Sequence, residues 1–138
     1  MKQDAPLLLD VAQAKKILAE SPFGPWWNFQ VEAVSPGKAI LRLPLKPEHY
    51  RPGGVAQGGS MMTLADVAFW LALMTVAGVD TPAVTLEMKT NFLRAARTDL
   101  SCEAEVMTAG RRILYGTATI TDSEGKIVSH HTLTYINA

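Results

Sequence analysis

The chain lacks most features that mark nucleic-acid binding or secretion. Its 138 residues contain 13 Lys and Arg against 13 Asp and Glu, so there is no basic excess to neutralise phosphates. The lone cysteine, Cys102, excludes an internal disulfide. The N-terminal segment MKQDAPLLLD has too short an apolar run for a secretory signal. These absences predict a cytoplasmic protein without a nucleic-acid partner.

Motifs for nucleotides and metals are also missing. The sequence contains neither a GxGxxG nor a GxxxxGK loop. His130 and His131 are adjacent on a predicted strand, so they point to opposite faces and cannot share a metal ion. We therefore expect no metal and no cofactor. Cys102 has no base beside it in a recognisable motif, and we interpret it as a small core residue.

Apolar residues are plentiful, at 48% of the chain, which predicts a single domain over residues 1–138 with a substantial core. The longest apolar run extends from Val55 to Val79 and includes one carboxylate, Asp66. In a bilayer this acid would cost about 2.5 to 3.5 kcal/mol, and no Lys or Arg cluster flanks the run. The run therefore predicts a core helix rather than a membrane span.

The remaining elements are predicted from periodicity and turn residues. Asp10 can cap a short helix, VAQAKKILAE, that ends at Ser21-Pro22. SPFGPWWNF is predicted to be a connecting loop, and NFQVEAV and KAILRLPL to form a hairpin. After the long helix, VTLEMKTNFLR, DLSCEAEVMTAG, RILYGTATITD and KIVSHHTLTYIN alternate with period two. With the short separators between them, these segments predict a four-stranded antiparallel meander.

This order of elements predicts an α+β domain in which a curved sheet wraps one helix. It also resembles the hotdog-fold thioesterases, in particular the branch that includes the phenylacetate-pathway acyl-CoA thioesterase. The resemblance is carried by PGGVAQGGSMMTLADVAFW, VTLEMKTNFLRAA and TDSEGKIVSHHTLTYI, and covers nearly everything after the first helix. It implies a hotdog fold, a curved antiparallel sheet around one long central helix, with a short N-terminal helix.

The candidate catalytic groups follow from the chemistry of thioester hydrolysis. Backbone N–H groups at a helix N-terminus are oriented donors for a developing oxyanion, and Gly58 and Gly59 allow a carbonyl to approach that backbone. Asp66, in an apolar setting, is a candidate general base or nucleophile. The resemblance agrees, since relatives typically carry His-Gly-Gly and then an acid nine positions after the His. Here Gln57-Gly58-Gly59 and Asp66 occupy those positions.

Two residues depart from the family pattern. Gln57 replaces the usual His and cannot exchange a proton near neutral pH. Arg51 stands where relatives often carry Asn, and it could pair with Asp66 or reach a phosphate. Thr85 occupies the position of a hydroxyl that helps to place water in some relatives, although threonine is common in strands for its shape alone. Thr63 could bond Asp66 or its own helix backbone.

Binding of an acyl-CoA substrate would require an apolar slot and cations. The long helix supplies flexible and aromatic side chains that could line the slot, although most such residues fill a core. These residues are Met61, Met62, Phe69, Trp70 and Met74. Arginine suits phosphate, and cations cluster near strand ends and turns. They are Arg94, Arg97, Arg111, Arg112 and Lys126. Coenzyme A would then be part of the substrate and not a cofactor.

Spacing along the helix predicts the active unit. Gly58 and Asp66 lie eight residues apart, or about 12 Å along one helix axis, so one carbonyl cannot contact both. If both serve one thioester, they come from different protomers of a homodimer with two composite sites. Relatives commonly pair such dimers, so the resemblance implies a homotetramer. Two other functions remain alternatives to hydrolysis. The first is acyl-CoA binding without turnover, which the Gln57 and Arg51 departures leave open. The second is a hotdog dehydratase or hydratase, although the offset of His49 from Asp66 does not match the His–acid pairing of that family.

Overall fold

The computed structural model of the protein describes residues 5–138. Residues 1–4, which begin the segment judged too short for a secretory signal, lie outside the described residues. Helix α1 spans Val11–Glu20 and begins with a capping box, in which the N–H of Gln13 donates to Asp10 Oδ1 at 2.8 Å and the N–H of Asp10 donates to Gln13 Oε1 at 2.9 Å. Ser21 caps its C-terminal end. The predicted first helix is confirmed at both ends.

The segment between α1 and the first strand contains a short helix, α2 (Gly24–Trp27), where a loop was predicted. Pro25 lies in its first turn, where the fixed φ of proline suits a helix and no N–H is lost. Asn28 ends the helix in the left-handed conformation, at φ 53°. The loop prediction was wrong because proline and glycine can also begin a helix: Gly24 and Pro25 start this single turn, and Asn28 ends it.

The main sheet has six strands, all paired antiparallel, in the order β1-β2-β6-β7-β8-β5. The predicted β1–β2 hairpin is confirmed. These strands are β1 (Gln30–Ser35), β2 (Lys38–Leu43), β5 (Ala83–Phe92), β6 (Leu100–Ala109), β7 (Ile113–Thr121) and β8 (Ile127–Asn137). A small ribbon of β3 (Tyr50–Arg51) and β4 (Val55–Ala56), preceded by a 3-10 turn at Pro47–His49, was not predicted.

The predicted meander is correct for β6, β7 and β8 but wrong for β5. Strand β5 pairs with β8 at the edge of the sheet, and the chain then passes the ends of β8 and β7 to enter β6 beside β2. The connection, residues 93–99, is longer than a tight hairpin loop. Its backbone bonds elsewhere, since Ala96 accepts from the N–H of Ala56 at 2.7 Å. The period-two pattern identified the strands but not their neighbours.

Helix α3 (Gly58–Ala77) fills the concave side of the sheet and packs against β2, β6, β7 and β8. It is long and apolar enough to cross a membrane, with a mean hydropathy of 1.6, yet 61% of its most apolar window is buried inside the fold. Because its apolar residues contact strands on several sides, the helix is the centre of the core. The architecture is the hotdog fold predicted from the sequence.

Candidate active site

Asp66 in α3 meets two hydroxyl groups from the sheet. Thr85 Oγ1 in β5 donates to Asp66 Oδ1 at 2.8 Å, and Tyr135 Oη in β8 donates to the same oxygen at 2.7 Å. Tyr135 Oη also lies 3.1 Å from the backbone oxygen of Asp66. Asp66 is half-buried, although its apolar setting in the sequence predicts a buried side chain. Hydroxyls that lie 19 and 69 residues beyond Asp66 in sequence thus converge on its carboxylate.

The register of the sheet brings the two hydroxyls together. Thr85 and Tyr135 are directly paired across β5 and β8, so their side chains leave the same face of the sheet, the face that packs on α3. The register then shifts between Thr85 and Glu87, which leaves Leu86 as the extra residue of a β-bulge. Because a bulge reverses the alternation of faces beyond it, it sets which residues of β5 face the helix.

The Tyr135 side chain is fixed in place by packing in the core. Its side chain is buried, and its ring lies 5.0 Å from the ring of Phe69, centroid to centroid. Phe69 in turn lies against Gly116, where a Cβ would come within 2.5 Å of the Phe69 ring. Burial, reinforced by the nearby Asp66 charge, raises the pKa of the Tyr135 phenol, so it stays protonated and remains a donor.

Phe69 was predicted as a possible wall of the acyl slot, but the structure places it elsewhere. It has no exposed surface and lies among the core residues. It therefore supports Tyr135 instead of lining an accessible pocket. Met62, also predicted for the slot, lies on the open side of α3 with 39% of its surface exposed, one turn before Asp66.

The helix N-terminus forms a second polar group of the site. Gln57 is the N-cap residue, and its N–H donates to the backbone oxygen of His49 at 2.9 Å. Its side-chain Nε2 donates to the backbone oxygen of Glu48 at 3.0 Å. Among residues 5–138, the N–H groups of Gly58 and Gly59 have no hydrogen-bond acceptor. Such N–H groups, backed by the helix dipole, can stabilise an oxyanion.

One chain does not bring these two groups together. Gly58 and Asp66 belong to the same uninterrupted helix, so the rise of the helix separates them by about 12 Å. At the N-terminal end, the neighbour of Gly58 is the ring of Phe92 at the end of β5. At the Asp66 end, the neighbour is Thr85 near the start of β5. A thioester that contacts both a Gly58 amide and an Asp66 carboxylate would have to take one of them from a second chain.

The remaining polar candidates take other positions. Thr63 Oγ1 donates to the backbone oxygen of Gly59 at 3.0 Å, so it bonds its own helix and not Asp66. Arg51 is exposed on β3 and has no ion pair with Asp66 or any other acid within residues 5–138. His49 is fully buried, with its ring stacked on Trp27 at 4.8 Å and a pKa lowered by burial. It forms no hydrogen bond with Asp66 among these residues.

The predicted phosphate-binding cations lie at two ends of the sheet. Arg94 and Arg97, in the connection after β5, share a surface cleft with Lys126 from the β7–β8 turn. Arg111 and Arg112 lie in the turn between β6 and β7, at the opposite end. The length of β7 separates the two sets by roughly 30 Å, so a single chain cannot offer both to one phosphate group.

The structure adds two residues that the sequence analysis did not identify. Tyr135 contacts Asp66 from 69 residues away in sequence. Phe92 covers the helix N-terminus and lines a cleft of about 520 Å³ together with Gly58, Met61, Leu93 and Arg94. The only sequence signal for Tyr135 was its position on the inward-facing alternation of β8, shared with His131 and Leu133. Across residues 5–138, no three His, Cys, Asp or Glu side chains form a group that could hold a metal.

Comparison with known proteins shows the family to which this chain belongs, the thioesterase superfamily. Residues 53–129 match the model of the thioesterase superfamily. A protein of Thermoplasma acidophilum, named as a candidate esterase, is 29% identical over 93% of this chain and 97% of its own length. The family match over residues 53–129 includes both the N-terminus of α3 and Asp66, and it confirms the resemblance drawn from the sequence motifs.

Solved structures agree in fold. Zebra fish thioesterase superfamily member 2 superposes with a TM-score of 0.85 at 27% identity, covering 94% of this chain and 99% of that one. A hypothetical thioesterase of Streptococcus pneumoniae, solved with coenzyme A, gives 0.74 at 25% identity, covering 80% and 86%. The E. coli PaaI protein from the phenylacetic acid degradation operon gives 0.82 at 18% identity, covering 91% and 90%, and so shares the fold.

Proposed function

Because this chain belongs to the thioesterase superfamily, we propose that it is an acyl-CoA thioesterase that hydrolyses its substrate to a free acid and coenzyme A. One observation carries the proposal. The carboxylate of Asp66 is held by Thr85 and Tyr135 on one oxygen, while the other oxygen has no donor among residues 5–138. A fixed carboxylate with one free oxygen is suited to activate water or to attack a carbonyl.

The reaction uses the two polar groups in turn. The N–H groups at Gly58 and Gly59 donate to the thioester oxygen and stabilise the negative charge that develops on it. Asp66 takes a proton from the attacking water, or attacks the carbonyl carbon itself to give an anhydride that water opens. In the first route the carbon–sulfur bond breaks as Asp66 passes its proton to the sulfur, and coenzyme A leaves as the thiol. In the second route coenzyme A leaves as the thiolate and takes a proton from solvent, and water then opens the anhydride to the free acid and the Asp66 carboxylate. No metal enters these steps, since the helix dipole and the amides supply the polarisation.

A homodimer built on β5 brings the two groups together. The outer side of β5 has no partner strand within residues 5–138, and its exposed residues include Val84, Leu86 and Phe92. A long apolar edge strand is a template for pairing with another chain. Two copies of β5 paired antiparallel would set the Thr85 end of one beside the Phe92 end of the other. Asp66 of one chain would then approach Gly58 of the second.

The same dimer would bring the two separated sets of arginines close together. With β5 strands antiparallel, the end that carries Arg94 and Arg97 lies near the end of the second copy that carries Arg111. Guanidinium groups from both chains can then surround the phosphates of one coenzyme A. The Streptococcus pneumoniae neighbour, solved with coenzyme A, supports this ligand class. Arg51, exposed and without an ion pair in the described part of the chain, is a further candidate for phosphate.

The acyl chain requires an apolar wall, which the structure offers at the helix N-terminus. The cleft beside Gly58 is lined by Met61, Phe92 and Leu93, with Arg94 at its edge. Met62, exposed on α3, would lie at the boundary between two copies. Methionine and aromatic side chains make an adaptable apolar surface. We assign this surface to the thioester arm and the first part of the acyl group.

Thiol release from a panel of aryl and fatty acyl-CoA thioesters tests the proposal. We expect turnover by the wild type, and a loss of at least about a hundredfold in Asp66→Asn, which keeps size but removes the base. Asp80→Asn is the matched control, because Asp80 is exposed in the connection after α3. Wild type that binds acyl-CoA but releases no thiol would overturn hydrolysis and favour a binding protein.

Sedimentation tests the dimer. We expect dimers or tetramers for the wild type, because the apolar edge of β5 is unpaired in the part of the chain that the structure describes. Leu86→Lys, which puts a charge on that edge, is expected to shift the protein toward monomer. The same charge at an exposed site on α1, Ala12→Lys, is expected to leave the assembly unchanged. A wild type that sediments as a monomer at micromolar concentration would contradict the dimer.

A further inference from the structure

Tyr135 is the least expected member of the site, because it lies in the motif TDSEGKIVSHHTLTYI but the family resemblance assigned it no role. Its phenol is one of two donors to Asp66 Oδ1, at 2.7 Å, and its side chain has only 3% of its surface exposed. It therefore cannot contact a substrate that enters from the surface. Whatever it contributes to the reaction must act through Asp66.

The hydrogen-bond inventory of the carboxylate is asymmetric. An ionised carboxylate oxygen has two lone pairs in its plane. Oδ1 accepts from Thr85 at 2.8 Å and from Tyr135 at 2.7 Å, so both of its lone pairs are used. Oδ2 receives no hydrogen bond and no ion pair from residues 5–138. The two oxygens of Asp66 are therefore not equivalent.

Resting on the proposed thioesterase function, we propose that Tyr135 is a positioning residue that assigns the chemistry to Asp66 Oδ2. By fixing Oδ1 on the sheet side of α3, Tyr135 and Thr85 stop the carboxylate from rotating about its Cβ–Cγ bond. Oδ2 then projects away from the sheet, toward the open side of the helix, and is the oxygen that takes the proton from water or attacks the carbonyl. Preorganisation of this kind lowers the cost of reaching the reactive geometry.

Two features make Tyr135 a dependable donor. First, a phenol buried next to a carboxylate has its pKa raised, so it does not ionise in the range where Asp66 acts. Second, the ring cannot turn away, because it packs against Phe69 and Phe69 occupies the space left by the missing side chain of Gly116. Thr85 lacks this support, since it lies exposed on the edge strand. We therefore assign the larger share of the positioning to Tyr135.

The test is Tyr135→Phe, which removes the hydroxyl and keeps the ring against Phe69. We expect kcat for acyl-CoA hydrolysis to fall about tenfold with KM within about twofold, because an unlocked carboxylate is misaligned but substrate contacts remain. The acid limb of the pH–rate profile should move to higher pH, since a carboxylate with fewer donors takes up a proton more readily. A purely structural role would not move this limb.

The matched control is Tyr115→Phe. Tyr115 lies on the neighbouring strand β7 and faces away from α3, so the same loss of a hydroxyl is expected to leave both kcat and the pH profile unchanged. Thr85→Val removes the second donor, and its combination with Tyr135→Phe is expected to lower kcat more than the two single effects predict. Thr85→Ser retains the donor and is expected to lower kcat less than Thr85→Val does.

Crystal structures of the wild type and Tyr135→Phe give a readout that does not depend on turnover. We expect Asp66 Oδ1 within hydrogen-bond distance of Tyr135 in the wild type, and a rotated or doubly occupied carboxylate in the variant. An unchanged carboxylate together with an unchanged pH–rate profile would overturn the positioning role. If the wild type hydrolyses no thioester, the proposed function fails, while the carboxylate orientation still decides whether Tyr135 fixes Asp66.

Discussion

The ring of Phe92 occupies the place where a side chain on Gly58 would begin: a Cβ built on Gly58 would lie 2.9 Å from Phe92 Cζ. Gly58 therefore has a packing role besides the role proposed for it at the helix N-terminus. It also lets the end of β5 close over the first turn of α3, which sets the shape of the apolar cleft there. At Gly59, by contrast, a Cβ would meet only Gln57 Oε1 at 3.6 Å, an ordinary contact.

This difference predicts opposite effects of two alanine substitutions on stability. Gly59→Ala should raise the free energy of unfolding by up to about 1 kcal/mol, because alanine restricts the unfolded chain and fits the site. Gly58→Ala should bring no such gain, because Phe92 must move, and it should lower thioester hydrolysis about tenfold by disturbing the helix N-terminus. Chemical denaturation and thiol release measure the two effects.

A second substitution separates the effect of the Phe92 contact from the effect of alanine on the backbone at position 58. Phe92→Ala removes the ring, so the combination of Gly58→Ala with Phe92→Ala should regain the stability that Gly58→Ala alone fails to show. If Gly58→Ala stabilises the protein as much as Gly59→Ala does, the close packing of Phe92 on Gly58 is not present in solution.

His131 predicts how stability depends on pH. Its side chain is fully buried between Ser129 and Thr90, and burial, helped by the neighbouring His130, lowers its pKa to about 4 from 6.5. Below pH 6.5 the unfolded chain therefore binds a proton that the folded chain does not. The free energy of unfolding should fall as the pH drops from 6.5 toward 4, with His131 contributing about 3 kcal/mol of the loss.

Urea unfolding of the wild type and His131→Gln across this pH range tests the assignment. The variant is expected to be less stable at pH 7 but to lose less stability on acidification. His130→Gln is the matched control, because His130 lies on the same strand and faces the other side, where it bonds Thr119. An equal loss of stability in His131→Gln and the wild type would show that other groups cause the acid dependence.

Arg94 predicts a dependence on the nucleotide part of the substrate. Arg94→Gln should raise KM for acyl-CoA several-fold, since a charge-assisted bond to phosphate is lost. The same acyl group on N-acetylcysteamine, which has no phosphate, should be hydrolysed at an unchanged rate. Lys16→Gln removes a charge from the exposed face of α1 and serves as the control. A parallel loss on both substrates would place Arg94 outside the phosphate site.

Much of this architecture could be predicted from local patterns. The Asp10 cap, the β1–β2 hairpin and the core helix around Asp66 each depend on residues close together in sequence. The pairing of β5 with β8 does not, because strands of similar pattern can pair with more than one neighbour, and only the assembled sheet around α3 decides between them. The fold class was therefore predictable, whereas the strand order within it was only partly so.

The candidate site was likewise predictable only in part. Asp66 and the glycine pair were identified from their chemistry and from a motif, and Thr85 from its place in the family pattern. Tyr135 was missed, because a tyrosine on a strand carries no signal of its own and its contact with Asp66 spans 69 residues. Phe69 was predicted to line the acyl slot, but the structure buries it completely. The prediction was wrong because helical spacing cannot show which apolar residues the sheet will cover.

The central claim is that one active site draws Gly58 and Asp66 from different chains, and subunit mixing tests it most directly. Asp66→Asn and Gly58→Ala are each expected to have low activity alone. After the two are unfolded together in equal amounts and refolded, half of the dimers are hybrids, and one of the two sites in each hybrid contains neither substitution.

The measurement is the rate of thiol release by the refolded mixture, compared with each variant and the wild type refolded in the same way. Composite sites predict recovery to about a quarter of the wild-type rate. A mixture no more active than the average of the two variants would contradict the account, because it would mean that Gly58 and Asp66 serve the reaction within a single chain.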